Sequence, residues 1–338
     1  MEKKERIVWV DNVKAVAIVL VAFGHLIQSL VKGGIMPSGF GYHAFNQIIY
    51  SFHVPLFFIC SGFLYQRLTK EQNAKSYCKG VLKKLLAYGV PYIVFSSATY
   101  ILKLIFSSSV NSEIENGFLH TLFIEPLAPY WFLYLLFLMF LITPIIKSNA
   151  DGIIRIGLGV AMYMLCAFSL TEHLPAAVYY VGNVLCNNYV WFIMGMAIAY
   201  FNFEKHFKPW YFGFFVLFLA VKLYTVYNMI NTGAAGLILT FFACAGVIGL
   251  ICSLYNKNNR QTPVFKVLSG YSMPIFLMHT IFASCVRSVL LKIGVTSLGV
   301  HFILGLVASF VLPIVAGYIM EKIKLDILYR PTKYIKIK

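Results

Sequence analysis

The sequence predicts an all-α, polytopic integral membrane protein with about ten transmembrane helices and both termini cytoplasmic. Three observations predict it. The 338 residues are 60% hydrophobic and only 12% charged, with a mean hydropathy of +0.78, against roughly 45 to 50% apolar and 25% charged in soluble domains. The apolar residues come in continuous runs of about 20, the length that carries a helix across about 30 Å of hydrocarbon. They do not alternate as the strands of a β-barrel do. Finally, Lys and Arg concentrate in every second connection, the pattern of cytoplasmic loops.

The first span, 8–30, follows MEKKERIVWV and lacks a small-residue cleavage site, so it is expected to be retained and not removed as a signal peptide. The second, 45–65, contains SFHVPLFFICSGFL with Pro55 inside it. The third is expected over 85–106, after a basic run. The segment SSSVNSEIENGFLHTLFIEPLAP, with Glu113, Glu115 and Glu125, follows it outside and suits a short re-entrant or interfacial helix. The fourth span, 129–147, opens on Trp131. Further spans are expected over 153–171, 183–201, 210–230, 234–255, 270–291 and 299–320. The tail LYRPTKYIKIK is expected along the inner surface, lysines towards anionic lipid and tyrosines towards headgroups. No connection is long enough for a separate soluble domain, so residues 1–338 are read as one domain.

The net charge of +16 follows from this topology and needs no nucleic acid as partner. Twenty-two of the 28 basic residues fall on inside segments, among them Lys3, Lys4, Arg6, Arg67, Lys70, Lys257 and Arg260, and only Lys32 and Lys292 fall in outside loops. The seven cysteines, 60, 78, 166, 186, 244, 252 and 285, show no CxxC or CxxH spacing. They are read as buried free thiols, without a disulfide framework or metal site.

Ionisable residues inside the membrane are costly and each raises a functional hypothesis. Lys14 and His25 are eleven residues apart, about 1100° of helical rotation, so they share a face about 16 Å apart. With Trp9 as interface anchor, Lys14 lies about 8 Å into the core and His25 about 24 Å. The descending second span puts His53 about 12 Å below the outer boundary and Ser61-Gly62 near the inner one. The simplest geometry is a passage with a cationic inner mouth and a basic upper end. A neutral imidazole there can accept a proton from an alcohol, and Lys14 can meet a phosphate or pair with Asp11. Each has a packing alternative: helix–helix hydrogen bonding for the histidines, snorkelling for Lys14, close helix approach for Ser61-Gly62, and interface anchoring for Trp131.

In order along the chain, these motifs resemble the acyltransferase-3 superfamily of bacterial membrane O-acyltransferases. The basic-x10-His pattern matches Lys14 to His25, with Lys where many members have Arg. FFxxSG matches Phe57 to Gly62, and FHVPLFF around His53 is similar to the FHMPLFF of a stand-alone branch that includes sugar O-acetylases and intercellular-adhesin-type proteins. Lys83-Lys84-Leu85-Leu86 ahead of Pro91-Tyr92 resembles the family's basic-LL-PY approach to span three, with a longer spacer. Tyr130-Trp131-Phe132-Leu133 resembles the WFL start of span four. Gly270 to His279 resembles the late GxxSxxIYLxH stretch, with Phe276 at the usual Tyr.

The resemblance implies transfer of an acyl group, usually acetyl from cytoplasmic acetyl-CoA, to a sugar hydroxyl of a cell-surface glycan or lipid-linked sugar, at the bacterial cytoplasmic membrane. It implies catalytic roles for His25 and His53, and acyl-CoA binding by Lys14, Ser61, Lys83 and Lys84. Asp11, Trp131, His279 and Arg287 then face the acceptor. The fused SGNH hydrolase-like domain of some members is not expected here. A transporter or glycan exporter is the rival reading, since intramembrane His, Lys222 and Arg287 and tyrosine-rich walls also suit a polar path.

Overall fold

A computed structural model describes residues 7–69, 73–106, 116–255 and 261–337. Lys3, Lys4, Arg6, Lys70, Glu113, Glu115, Lys257, Arg260 and Lys338, used in the charge and loop readings, lie outside the described residues. The described chain is helical throughout, and nine of its helices are long and apolar enough to cross a membrane. With the shorter α4 they are α1 (Val8–Lys32), α2 (Phe40–Leu68), α3 (Lys75–Ile105), α4 (Trp131–Ile142), α5 (Asn149–Ala167), α6 (Ala176–Phe201), α7 (Pro209–Tyr227), α8 (Ala235–Tyr255), α9 (Ser272–Lys292) and α10 (Leu298–Lys322). The expected re-entrant segment holds a six-residue helix, Phe118–Phe123.

The fourth span needs correction. Only Trp131–Ile142 is helical, and residues 143–147 carry no regular structure up to the Ser148 cap of α5. Pro144 is the cause, because the residue before a proline is driven out of the α region, and Thr143 has ψ of 103°. Non-helical backbone buried in a bundle must find partners other than its own turn. Here α2 supplies them. Tyr65 Oη donates to the Thr143 carbonyl at 2.8 Å, and the Gln66 amide both donates to the Ile146 carbonyl at 3.0 Å and accepts from its N–H at 2.8 Å.

Prolines inside other helices are accommodated by a neighbouring side chain or by local widening. Pro55 removes the hydrogen bond that the Ser51 carbonyl would receive, and Thr240 Oγ1 from α8 donates to that oxygen at 3.1 Å. In α3 and α10 the π turns Leu85–Gly89 and Val307–Val311 end two residues before Pro91 and Pro313. Such widening accommodates the proline ring. The start of α3 lies well ahead of the expected residue 85, because the basic run itself is helical over Ala74–Lys84.

α2 and α6 form the centre of the bundle. A methyl group added at Gly62 would collide with the Phe192 carbonyl, and one at Gly195 with the Ile59 carbonyl. The two glycines face each other across one crossing and let the backbones touch. Gly62 therefore serves helix packing, the small-residue device of membrane bundles. Trp9 packs edge-on against Phe63 at 4.7 Å, which sets the start of α1 beside the end of α2.

The tail does not lie free along a surface. Tyr329 is buried and donates to the Gly317 carbonyl at 3.2 Å, and Arg330 donates to the Gly270 carbonyl at 2.6 Å and pairs with Glu321 at 2.5 Å. The Asp326 carboxylate accepts from Lys333 Nζ at 2.7 Å and from the Tyr334 hydroxyl. Although desolvation works to raise it, these two donors hold its pKa below the ordinary carboxylate value. A depressed folded-state value stabilises the docked tail above the unfolded pKa and loses that contribution as pH falls through the folded one. Tail proteolysis should therefore accelerate in wild type between about pH 4 and lower values, whereas Asp326→Asn should cleave faster at neutral pH and show a flat profile.

All seven cysteines are free, but Cys78 and Cys285 are exposed and not buried as expected. Cys78 sits on the amphipathic first turns of α3, and Cys285 lines a cavity beside α9.

Candidate functional site

α1 and α9 run side by side, and their facing residues build the site. The His25 and His279 rings lie 5.3 Å apart. Both line a cavity of about 380 Å³ that extends to the ends of the two helices at Lys32 and Lys292. Further along the same pair, Arg287 is 4% exposed and donates from Nη1 to Ser29 Oγ on α1. Arg287 also lines this cavity.

Tyr50 of α2 stands against His25 with ring centroids 6.1 Å apart and against His53 at 4.7 Å. Gly24 makes room for it, since a methyl group there would sit 3.3 Å from Tyr50 Cε2. His279, His25, Tyr50 and His53 thus form one row of rings across three helices. Tyr50 faces a second cavity, of about 460 Å³, whose lining includes Trp131, Tyr180, Asn188 and Lys222.

The protonation pattern of two rings follows from their partners. His53 Nδ1 lies 2.7 Å from the Ile49 carbonyl, and His279 Nδ1 lies 2.8 and 3.0 Å from those of Ile275 and Phe276. A carbonyl only accepts, so Nδ1 carries the hydrogen in each ring, leaving Nε2 of the neutral imidazole as the basic nitrogen. Among the described residues, His279 Nε2 and the Tyr50 hydroxyl are buried with no hydrogen-bond partner. The row therefore offers a base and a hydroxyl donor that no described residue satisfies, which is unusual for buried polar atoms.

The remaining sequence candidates separate into two groups. Trp131 joins the second cavity. Lys14, Ser61, Lys83 and Lys84 line neither cavity. Lys14 and Asp11 are half-buried in the first two turns of α1, and Ser61 is buried in the α2 helix that packs on α6. Lys83 is exposed, while the Lys84 ammonium lies 4.0 Å over the Phe140 ring and 5.7 Å over that of Tyr88, both near the far end of α4. Sequence reasoning missed Tyr50, Ser309 and Lys103. Tyr50 had a readable signal: it lies three residues before His53, hence on the same helical face. Ser309 and Lys103 had none, because which spans touch is not written in local hydropathy.

A family of acyltransferase domains matches residues 7–320. The chain is similar to the Nodulation protein NolL of Mesorhizobium japonicum, 28% identical over 138 residues, 41% of this chain and 35% of that protein. It is also similar to the Nodulation protein NolL of Sinorhizobium fredii, 25% identical over 189 residues, 56% of this chain and 48% of that protein. The matched stretches span less than half the length of these relatives. No solved structure matches the chain.

Proposed function

The chain belongs to the acyltransferase-3 family, and on that premise we propose that it moves an acyl group, acetyl in the simplest case, from cytoplasmic acyl-CoA to a sugar hydroxyl of a surface glycan or lipid-linked sugar. The observation that carries this reading is the His25–His279 pair on the wall of a cavity. His25 accepts the proton of the acceptor hydroxyl as its oxygen bonds to the acyl carbon. The carbon–sulfur bond then breaks, and the proton leaves with the thiolate as free thiol. The Tyr50 hydroxyl is the donor available to the developing oxyanion. Lys14, Lys83 and Lys84 suit the phosphates of coenzyme A. His53 orients Tyr50 through the ring contact.

Sidedness tests the reading. The proposed reaction puts both termini and the α2–α3 connection in the cytoplasm, in keeping with the enrichment of Lys and Arg there. In single-cysteine variants in sealed vesicles, Cys78 should label from that side and Asn231→Cys from the other. Acetyl-CoA supplied on the Cys78 side of purified, reconstituted protein should support transfer to an acceptor on the opposite side. Transport of an unmodified glycan without acyl transfer would overturn the proposal in favour of an exporter.

Lys14 gives a finer test. Lys14→Met should raise the apparent KM for acetyl-CoA on the order of tenfold, and Lys14→Arg should raise it far less, since the phosphate needs a cation and either basic side chain supplies one. An unchanged KM in Lys14→Met removes Lys14 from the donor site.

A further inference from the structure

Two lysines, Lys32 and Lys292, remain in outside loops when the topology is counted, and both line the His25 cavity. Lys103 and Arg287, which fall within spans, line it as well. Lys222, another lysine expected in the outer half of the bundle, lines the second cavity. A face of a membrane protein that should be poor in positive charge thus gathers what it has around two openings. No Asp or Glu is among the described residues that line the first.

A plain account covers part of this. Lys32 and Lys292 are the last residues of α1 and α9, where a cation is favoured by the helix dipole and can snorkel. It does not cover Arg287. That side chain is more than a turn deeper, 4% exposed, and held by Ser29 on α1, while its Nε has no partner among the described residues. Ser309, from the π turn of α10, is fully buried on the same wall with its hydroxyl also unpartnered. A buried guanidinium without a carboxylate is costly unless an anion completes it, and its planar fork matches phosphate oxygens.

We infer that this cavity binds a phosphate group, seated on Arg287 with Lys32, Lys103 and Lys292 around it. The inference rests on the proposed reaction only in making the phosphate part of the acceptor. A volume of about 380 Å³ is that of a small-molecule site and exceeds what a bare ion needs. Eight residues separate His279 from Arg287, about 12 Å along α9. The hydroxyl that meets His25 therefore belongs to a part of the acceptor remote from its phosphate. The phosphate arrives either on a lipid-linked sugar or as a bulk phospholipid headgroup.

The experiment uses the full chain in phosphatidylcholine nanodiscs, with inorganic pyrophosphate as the probe and calorimetry as the readout. Wild type should bind. Arg287→Gln should weaken binding on the order of tenfold or more, and the exposed pair Lys32→Gln/Lys292→Gln, which leaves the core untouched, should weaken it severalfold. Lys266→Gln, at the opposite end, should bind as wild type does. In a second arm, discs containing phosphatidylglycerol assign the source: loss of pyrophosphate binding there, with phosphatidylglycerol retained in native mass spectra of wild type but not of Arg287→Gln, makes it a phospholipid headgroup. Undiminished pyrophosphate binding makes it the acceptor. Wild type that binds neither, or variants that match it, overturn the inference. Acetyl transfer measured on the same samples keeps the two readings apart: transfer without phosphate binding sinks this site alone, and phosphate binding without transfer to any acceptor sinks the reaction alone.

Discussion

His25→Ala is expected to lower acyl transfer by about 10²- to 10⁴-fold, the range that a positioned general base contributes, with the thermal midpoint and membrane insertion close to wild type. The half-buried ring of His25 touches His279 and Tyr50 at its edges and is not part of the close-packed core. Losing it should therefore cost chemistry far more than packing. His25→Gln preserves volume and a hydrogen-bonding end but not basicity, and should be as inactive as His25→Ala. Near-normal turnover in either variant defeats the central assignment. Tyr50→Phe is the informative companion, since it should reduce kcat and spare KM for the donor if the hydroxyl acts only on the developing oxyanion.

Gly62→Ala and Gly195→Ala are expected to destabilise the bundle by about 1–3 kcal/mol or more each, or to abolish recovery of folded protein. Each added methyl group meets a backbone carbonyl, which cannot rotate away as a side chain would. The helices must separate, and contacts along the whole α2–α6 crossing loosen together. Gly157→Ala is the control. Its methyl group meets nothing within 4 Å, so the substitution should be neutral or stabilising by up to about 1 kcal/mol through helix propensity. Thermal unfolding in one detergent reads all three. If Gly62→Ala melts with wild type, the close crossing is not what holds α2 and α6.

Much of the architecture was legible because hydrocarbon imposes one rule on every residue it touches. Continuous apolar runs named the long helices, most ends to within a few residues; α2 and α6 begin five and seven residues earlier than expected, and α3 begins earlier because the basic stretch Ala74–Lys84 stays helical. The helical part of span four was legible too, and the non-helical part after Ile142 was not, since hydropathy is blind to backbone conformation. Pro144 carried the warning. Within one helix, rotation and rise place residues well, so the level of His53 near His25 could be reasoned from depth; Tyr50 now stands between those rings. Between helices the sequence is nearly silent. That α9 should lie against α1, and so bring His279 to His25 and Arg287 to Ser29, depends on the packing of the whole bundle. Only the resemblance of the Gly270–His279 stretch to a family motif drew attention there. The cationic cavity was hidden for the same reason: its four charges come from three helices.

The break in the fourth span also bears on parity. An odd number of passages leaves the two ends of a chain on opposite faces of a bilayer, and an even number leaves them on the same face. Among the described residues, nine helices are long and apolar enough to cross a membrane, and Trp131–Ile142 is a shorter apolar one. The fold brings the two ends of the chain together. Asn12, near the start of the chain, accepts from Gln261 at 2.7 Å, Gln261 donates to Ser269 at 3.1 Å, and the tail's Arg330 reaches the Gly270 carbonyl at 2.6 Å. First and last spans are thereby tied at one pole. An insertion or deletion that drew residues 143–147 into helix would break the hydrogen bonds that Tyr65 and Gln66 make to them and so loosen α4 from α2.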